Sequence, residues 1–214
     1  MDLMIDLETL GTRAGAPVIT IGAVLFDPLA TDTVEGLLSR SFYRAISITE
    51  AVNNSDGVAG DTLEWWFRQS DEAIKALVAD PIYSTSQALE AFYHYAESRG
   101  MGWTAEFFPE HPHLPKVGRV WAKSPDFDCK MMESLWRRFP KWYAWPYRYN
   151  QYRCVRTLMD LAWPSGPGGR PIFDVGAKHD ARVDAVEQAL TVQAGHRALG
   201  LSESVQFFNY KVSP

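Results

Sequence analysis

The chain has 214 residues, a formal net charge of −5, 46% apolar side chains and 22% charged ones. This is an ordinary globular composition, long enough to bury a core without disulfides or structural metals, and it excludes disordered, collagen-like and coiled-coil classes. The longest apolar run, Pro17 to Phe26, is too short to cross a bilayer. The N-terminus lacks the pattern of a signal peptide, and Cys129 and Cys154 stand in no metal-ligand spacing, so a cytoplasmic chain with no membrane partner is expected. The acidic balance disfavours a protein that coats long duplex DNA, but not one whose acidic site holds divalent cations against nucleic acid.

Leu3 to Asp6 reads as a short strand, Val18 to Phe26 as a longer β-branched one and Leu37 to Arg44 as a third. From Asp61 the period becomes helical through Leu63, Trp66 and Phe67, with Asp61 or Thr62 as the expected cap. Ser84 to Arg99 is a second helix, stopped by Gly100. Residues 100–117, rich in Pro, read as a surface loop rather than a domain linker. A buried-type strand follows at Arg119 to Ala122, then a helix from about Pro125 to Arg138. After it come an extended piece near Tyr149 to Arg153 and a helix near Val155 to Trp163. Pro164 to Pro171 is a Gly/Pro loop without the Lys-Ser/Thr ending of a Walker phosphate loop, and the last helix runs from about Asp180 to Leu199. The order predicts an α/β fold: one five-stranded sheet flanked by helices, in a single domain over 1–214.

Asp6 and Glu8 alternate on the first strand and therefore project to the same side. Taken alone, such a pair at a strand end is most economically a solvated one; turned inward, it calls for a compensating cation. Ser124-Pro125-Asp126-Phe127-Asp128 forms a strand-to-helix turn that offers Asp128, or its competitor Asp126, to the same end of the sheet. His179 and Asp184 are five residues apart, about 140° around a regular helix, so both cannot sit mid-helix on one face. His179 must stand at the helix entrance while Asp184 reaches the site from the first turns.

Asp6-Leu7-Glu8-Thr9, then Phe127-Asp128, then His179 with Asp184 resemble the three motifs of the DEDDh (DnaQ-like) 3′–5′ exonucleases, which have a ribonuclease H-like fold. Ile5 to Gly11 and Thr62-Leu63-Glu64-Trp65-Trp66 are similar to the subgroup that holds the DNA exonuclease A of T-even phages and the exoribonuclease RNase AS. Thr9-Leu10-Gly11 departs from the Thr-Thr-Gly or Thr-Ser-Gly of many proofreading relatives, and Asp128 is preferred to Asp126 only by the Phe-Asp match. The resemblance implies two Mg²⁺ or Mn²⁺ ions held by Asp6, Glu8, Asp128 and Asp184, with His179 as general base. It also implies that Glu8 meets the terminal 3′ hydroxyl, that Thr9 and Leu10 pack on the last nucleotide, and that the setting is a bacterial or phage-infected cell. Trp65 is expected to stack a base, with Trp66 in the core, and Arg153, Arg156 and Arg182 are candidates for phosphates.

The expected substrate is the 3′ end of single-stranded DNA or RNA, with DNA slightly favoured, and a homodimer is within the family's habit. The alternatives are an exoribonuclease or oligoribonuclease of the RNase AS type and a binding module that does not cut. A zinc hydrolase built on Glu110-His111-Pro112-His113 is disfavoured for want of a third imidazole at suitable spacing.

Overall fold

The computed structural model describes residues 1–78, 81–98, 118–139, 145, 147–176 and 179–201. The loop expected over 100–117, with its Glu110-His111-Pro112-His113 cluster, lies outside the described residues.

Strands β1 (Asp2–Thr9), β2 (Val18–Phe26) and β3 (Phe42–Ile46) form an antiparallel meander. Strands β4 (Ile82–Tyr83), β5 (Val120–Ala122) and β6 (Tyr152–Cys154) add in parallel, giving the order β4-β3-β2-β1-β5-β6. The sheet thus has six strands rather than the expected five; the extra one, β4, is two residues long, too short to leave a periodic signal.

The expected third strand is also displaced. Leu37 and Leu38 belong to helix α1 (Val34–Leu38), because Thr33 caps it by accepting a hydrogen bond from the Gly36 N–H, and the strand starts only at Phe42. Helices α2 (Ile48–Asn53), α3 (Gly60–Trp66) and α4 (Asp71–Leu77) follow. Neither Asp61 nor Thr62 caps α3: its N-cap is Ala59, and the Asp61 carboxylate instead accepts from the Thr62 N–H within the first turn. Then come α5 (Thr85–Ser98), α6 (Asp128–Arg138), α7 (Val155–Ala162) and α8 (Ala181–Ala198), close to expectation. The piece expected to be extended from Tyr149 is a 3₁₀ turn to Gln151 before β6.

Two cores flank the sheet. Leu3, Ile5 and Leu7 pack with Leu89, Phe92, Met131 and Met132 of α5 and α6 on one side. Met4, Val24 and Trp121 pack with Val186, Ala189 and Leu190 of α8 on the other. Helix α8 is buried around most of its circumference, wedged against β1, β2, α7 and α1. Both cysteines are free, and no described helix is long and apolar enough to cross a membrane.

One contact fixes where α8 begins. Gly22 lies opposite Asp6 in the β1–β2 ladder, and a Cβ at Gly22 would overlap the backbone of Ala181 and Arg182. The missing side chain lets the first turn of α8 lie directly on the sheet. Gly22→Ala is therefore expected to cost about 1–3 kcal/mol by forced displacement of backbone. Gly60→Ala, where an added Cβ meets nothing within 4 Å, should leave stability equal or slightly higher. Denaturant unfolding of the two variants checks the contrast.

Candidate active site

Alternation along β1 puts Leu3, Ile5 and Leu7 into one core and leaves Met4, Asp6 and Glu8 on the side that α8 covers. The ladder then breaks: Glu8 faces Thr20 but Thr9 faces Val18, a bulge that ends regular pairing immediately after the second acid. Glu8 is buried, and the half-buried Asp6 accepts a hydrogen bond at Oδ1 from Gln188 Nε2 at 2.6 Å.

Strand β5 runs parallel to β1, so the turn after Ala122 returns to the same end of the sheet. That turn is closed by Phe127 N–H and Asp128 N–H, both donating to Ser124 C=O. It delivers Asp128, buried, as the first residue of α6, while Asp126 is exposed. The third contribution comes from the entrance of α8. Asp180 is its N-cap, accepting from the N–H groups of Arg182 and Val183, and Asp184 lies in the first turn. His179 stands just outside, as the geometry of the five-residue spacing requires. Its φ of +63° is in the left-handed region, the only such value at a non-glycine among the described residues. Its N–H donates to Asp184 Oδ2 at 3.1 Å, which holds that uncommon backbone in place.

Helix α3 is fastened over this end of β1 by Trp66, whose Nε1–H donates to Thr9 C=O at 2.9 Å and whose ring is 4% exposed. Trp65 stands beside it, 42% exposed, edge-on to the His179 ring at 5.0 Å between centroids. A cleft of about 550 Å³ opens here, walled by Glu8, Thr9, Thr12, Asp61, Thr62, Trp65, Phe127, Arg156 and His179 among others. Trp65 thus stands exposed on the cleft, while Trp66, which also borders it, is buried in the core.

Not every expected residue reaches it. Leu10 is buried in the core and does not line the cleft, because its N–H is tied back to Pro17 C=O. Arg153 donates to the carbonyls of Asn150 and Tyr152. Arg182 lies over the Tyr43 ring and beside Asp180, and neither arginine is in the cleft wall. Arg156 is, with Nη1 bonded to Ser124 Oγ.

Four residues at the site carry no sequence motif. Thr12 and Asp61 line the cleft, Lys123 acts electrostatically on Asp6 and Asp184, and Gln188 binds Asp6. Of these only Gln188 had a usable signal, its place one helical turn after Asp184.

The acids oppose one another. Burial and the neighbouring Asp6, Asp184, Asp128 and Asp180 charges push the Glu8 carboxyl up to about 10. Burial raises Asp128 to about 7 against hydrogen bonds from the backbone of its own turn and Leu7 and against the Arg156 charge. Asp6 is held well above the usual carboxylate range by burial and by Asp128 and Asp184, and Asp184 is raised by burial despite the His179 N–H. Lys123 and Arg156 offset only part of this burial and repulsion. Ligand atoms of Glu8, His179 and Asp184 lie within 4.8 Å of one another, and the hard carboxylate oxygens suit Mg²⁺ or Mn²⁺. The residues present therefore fit a divalent cation site.

A pH dependence follows. These carboxyls keep protons in the fold that the unfolded chain, with values near 4, has already lost, so without metal stability falls as pH rises from about 4 toward 10. A cation displaces those protons and binds better as they leave. Melting temperatures in EDTA should fall between pH 5.5 and 9, and the upward shift given by Mg²⁺ should widen over the same range. A Mg²⁺ shift of constant size would show that the acids do not share one ion site.

A family model described as the 3′–5′ exoribonuclease Rv2179c-like domain matches residues 1–195. An exodeoxyribonuclease of Enterobacteria phage T4 is 28% identical over 142 residues, covering 64% of this chain and 56% of the phage protein. The match thus spans little more than half of that relative. Exonuclease X in complex with 5′ overhanging duplex DNA superposes with a TM-score of 0.50 at 14% identity, covering 94% of this chain and 93% of the other. The nuclease domain of 3′hExo, a DEDDh family member bound to rAMP, does so with a TM-score of 0.50 at 11% identity, covering 93% and 91%. The mixed sheet with helices on both faces is the ribonuclease H-like fold that these two exonuclease structures share.

Proposed function

Because the chain belongs to the family of 3′–5′ exoribonuclease Rv2179c-like domains, we propose that it hydrolyses phosphodiester bonds from the 3′ end of single-stranded nucleic acid. The observation that carries this reading is the convergence of Glu8, His179 and Asp184 within 4.8 Å at the wall of a cleft flanked by Trp65. Asp6, Glu8, Asp128 and Asp184 would hold two Mg²⁺ or Mn²⁺ ions. When bound, such ions neutralise the attacked phosphate and stabilise the attacking and leaving oxygens.

The chain's own groups do the rest. His179 accepts the proton of the attacking water, a general-base role open to an imidazole nitrogen, which is a poor fit to a hard-oxygen ion shell. Its backbone bond to Asp184 and the Trp65 edge set the ring's position. Trp65 offers the exposed face for the terminal base, Thr9 the floor beneath the sugar, and Arg156 a cation for a phosphate of the incoming strand. Leu10 supports this floor from the core instead of touching the nucleotide.

Deoxyribose is the favoured sugar, on the strength of the phage relative named as an exodeoxyribonuclease. Ribose is the second reading, favoured by the description of the family model. A gel-resolved time course with 5′-labelled DNA and RNA of one sequence, with Mg²⁺, Mn²⁺ or EDTA, separates them. A metal-dependent ladder that shortens from the 3′ end, absent in Asp6→Ala, is expected, and the faster strand names the sugar. His179→Ala should lower turnover about 10²–10⁴-fold with little change in strand binding. An unchanged rate would remove His179 as the base. Trp65→Ala should raise KM by the equivalent of about 1–3 kcal/mol of stacking, and an unaltered KM would take Trp65 out of the substrate wall.

A further inference from the structure

We propose that Gln188 is a positioning residue that fixes the Asp6 carboxylate for metal binding, an inference that rests on the exonuclease reading. Gln188 lies on α8 one turn after Asp184, so both side chains leave the same face of the helix toward β1. It is buried, and its Nε2 donates to Asp6 Oδ1 at 2.6 Å. With Nε2 turned to Asp6 Oδ1, the amide directs its carbonyl oxygen elsewhere, and this is the orientation that an ion-bound Asp6, which only accepts, requires. That oxygen, Oε1, is buried and meets no donor among the described residues.

A buried amide with one half bonded to a site acid and the other half unmatched is a poor structural element. An apolar side chain of similar volume would fill the place without a stranded acceptor. The arrangement makes sense if the missing donor enters with the cation, as a water of its hydration shell. Gln188 then does two things: it pins Oδ1, so that Asp6 presents Oδ2 in one orientation, and it offers Oε1 to the ion's hydration. Partners standing behind metal ligands in this way typically change metal affinity about 10–100-fold when removed.

Mn²⁺ titration calorimetry on the EDTA-stripped full chain, without nucleic acid, tests the assignment in wild type, Gln188→Met and Gln188→Asn. Methionine keeps the volume and removes both polar atoms, and asparagine keeps the amide but falls one methylene short. Both variants are expected to melt in EDTA close to wild type, yet to bind Mn²⁺ about 10–100-fold more weakly. The Mn²⁺ concentration for half-maximal strand shortening should rise by the same factor. Unchanged Mn²⁺ affinity in a folded variant overturns the proposal, whichever variant supplies it. A wild-type ladder beside unchanged variant affinity overturns the role of Gln188 alone. A wild type that binds Mn²⁺ but shortens neither DNA nor RNA overturns the exonuclease reading, while weakened Mn²⁺ binding in the variants still upholds Gln188 as the residue that orients Asp6.

Discussion

Four carboxyls gathered where β1, α6 and α8 meet repel one another, and among the described residues Lys123, Arg156 and His179 offset only part of that repulsion. Much of the local architecture is shaped by the need to keep them together. The side chain absent at Gly22 lets α8 descend on the sheet opposite Asp6. The left-handed backbone at His179 stands at the entrance of α8, where its N–H grips Asp184. An uncommon backbone conformation beside a cluster of mutually raised acids is the pattern of a site organised around a charge that comes from outside.

The aromatic wall is coupled to the same point. Trp66 spends its indole N–H on the carbonyl of Thr9, one residue past Glu8, and thereby seats α3 over the end of β1. Trp65 follows as a consequence, exposed on the cleft and edge-on to His179. A single helix therefore sets the spacing between the Trp65 ring and the imidazole, and a shift of α3 would move Trp65 relative to both His179 and Glu8.

The placement of the acids and the histidine was legible because it follows from short periods. Alternation put Asp6 and Glu8 on one side, and the rotation between His179 and Asp184 required a helix entrance, which is where α8 begins. In the sequence only the Phe-Asp match prefers Asp128 to Asp126; burial, a tertiary property, separates them in the fold. The third strand was misplaced because Leu37 and Leu38 are apolar for a different reason: α1 packs them beside α8, and the Thr33 cap decides for helix. A better reading of Ser47-Ile48-Thr49-Glu50 would have found α2, whose Ser47 cap accepts from the Glu50 N–H. The resemblance implies Leu10 at the last nucleotide and the last helix offers Arg182 for a phosphate, but the fold buries Leu10 in the core and lays Arg182 over the Tyr43 ring. Thr12 and Lys123 reach the site through loop geometry, which leaves no period to read, and Asp61 reaches it from the first turn of α3.

The central claim is that this cluster is completed by a pair of divalent ions. Anomalous scattering from crystals soaked in Mn²⁺ tests it most directly. The account predicts two peaks about 3.5–4 Å apart among Asp6, Glu8, Asp128 and Asp184, both lost in Asp6→Ala. No anomalous peak at these acids, or peaks that persist unchanged in Asp6→Ala, would contradict it.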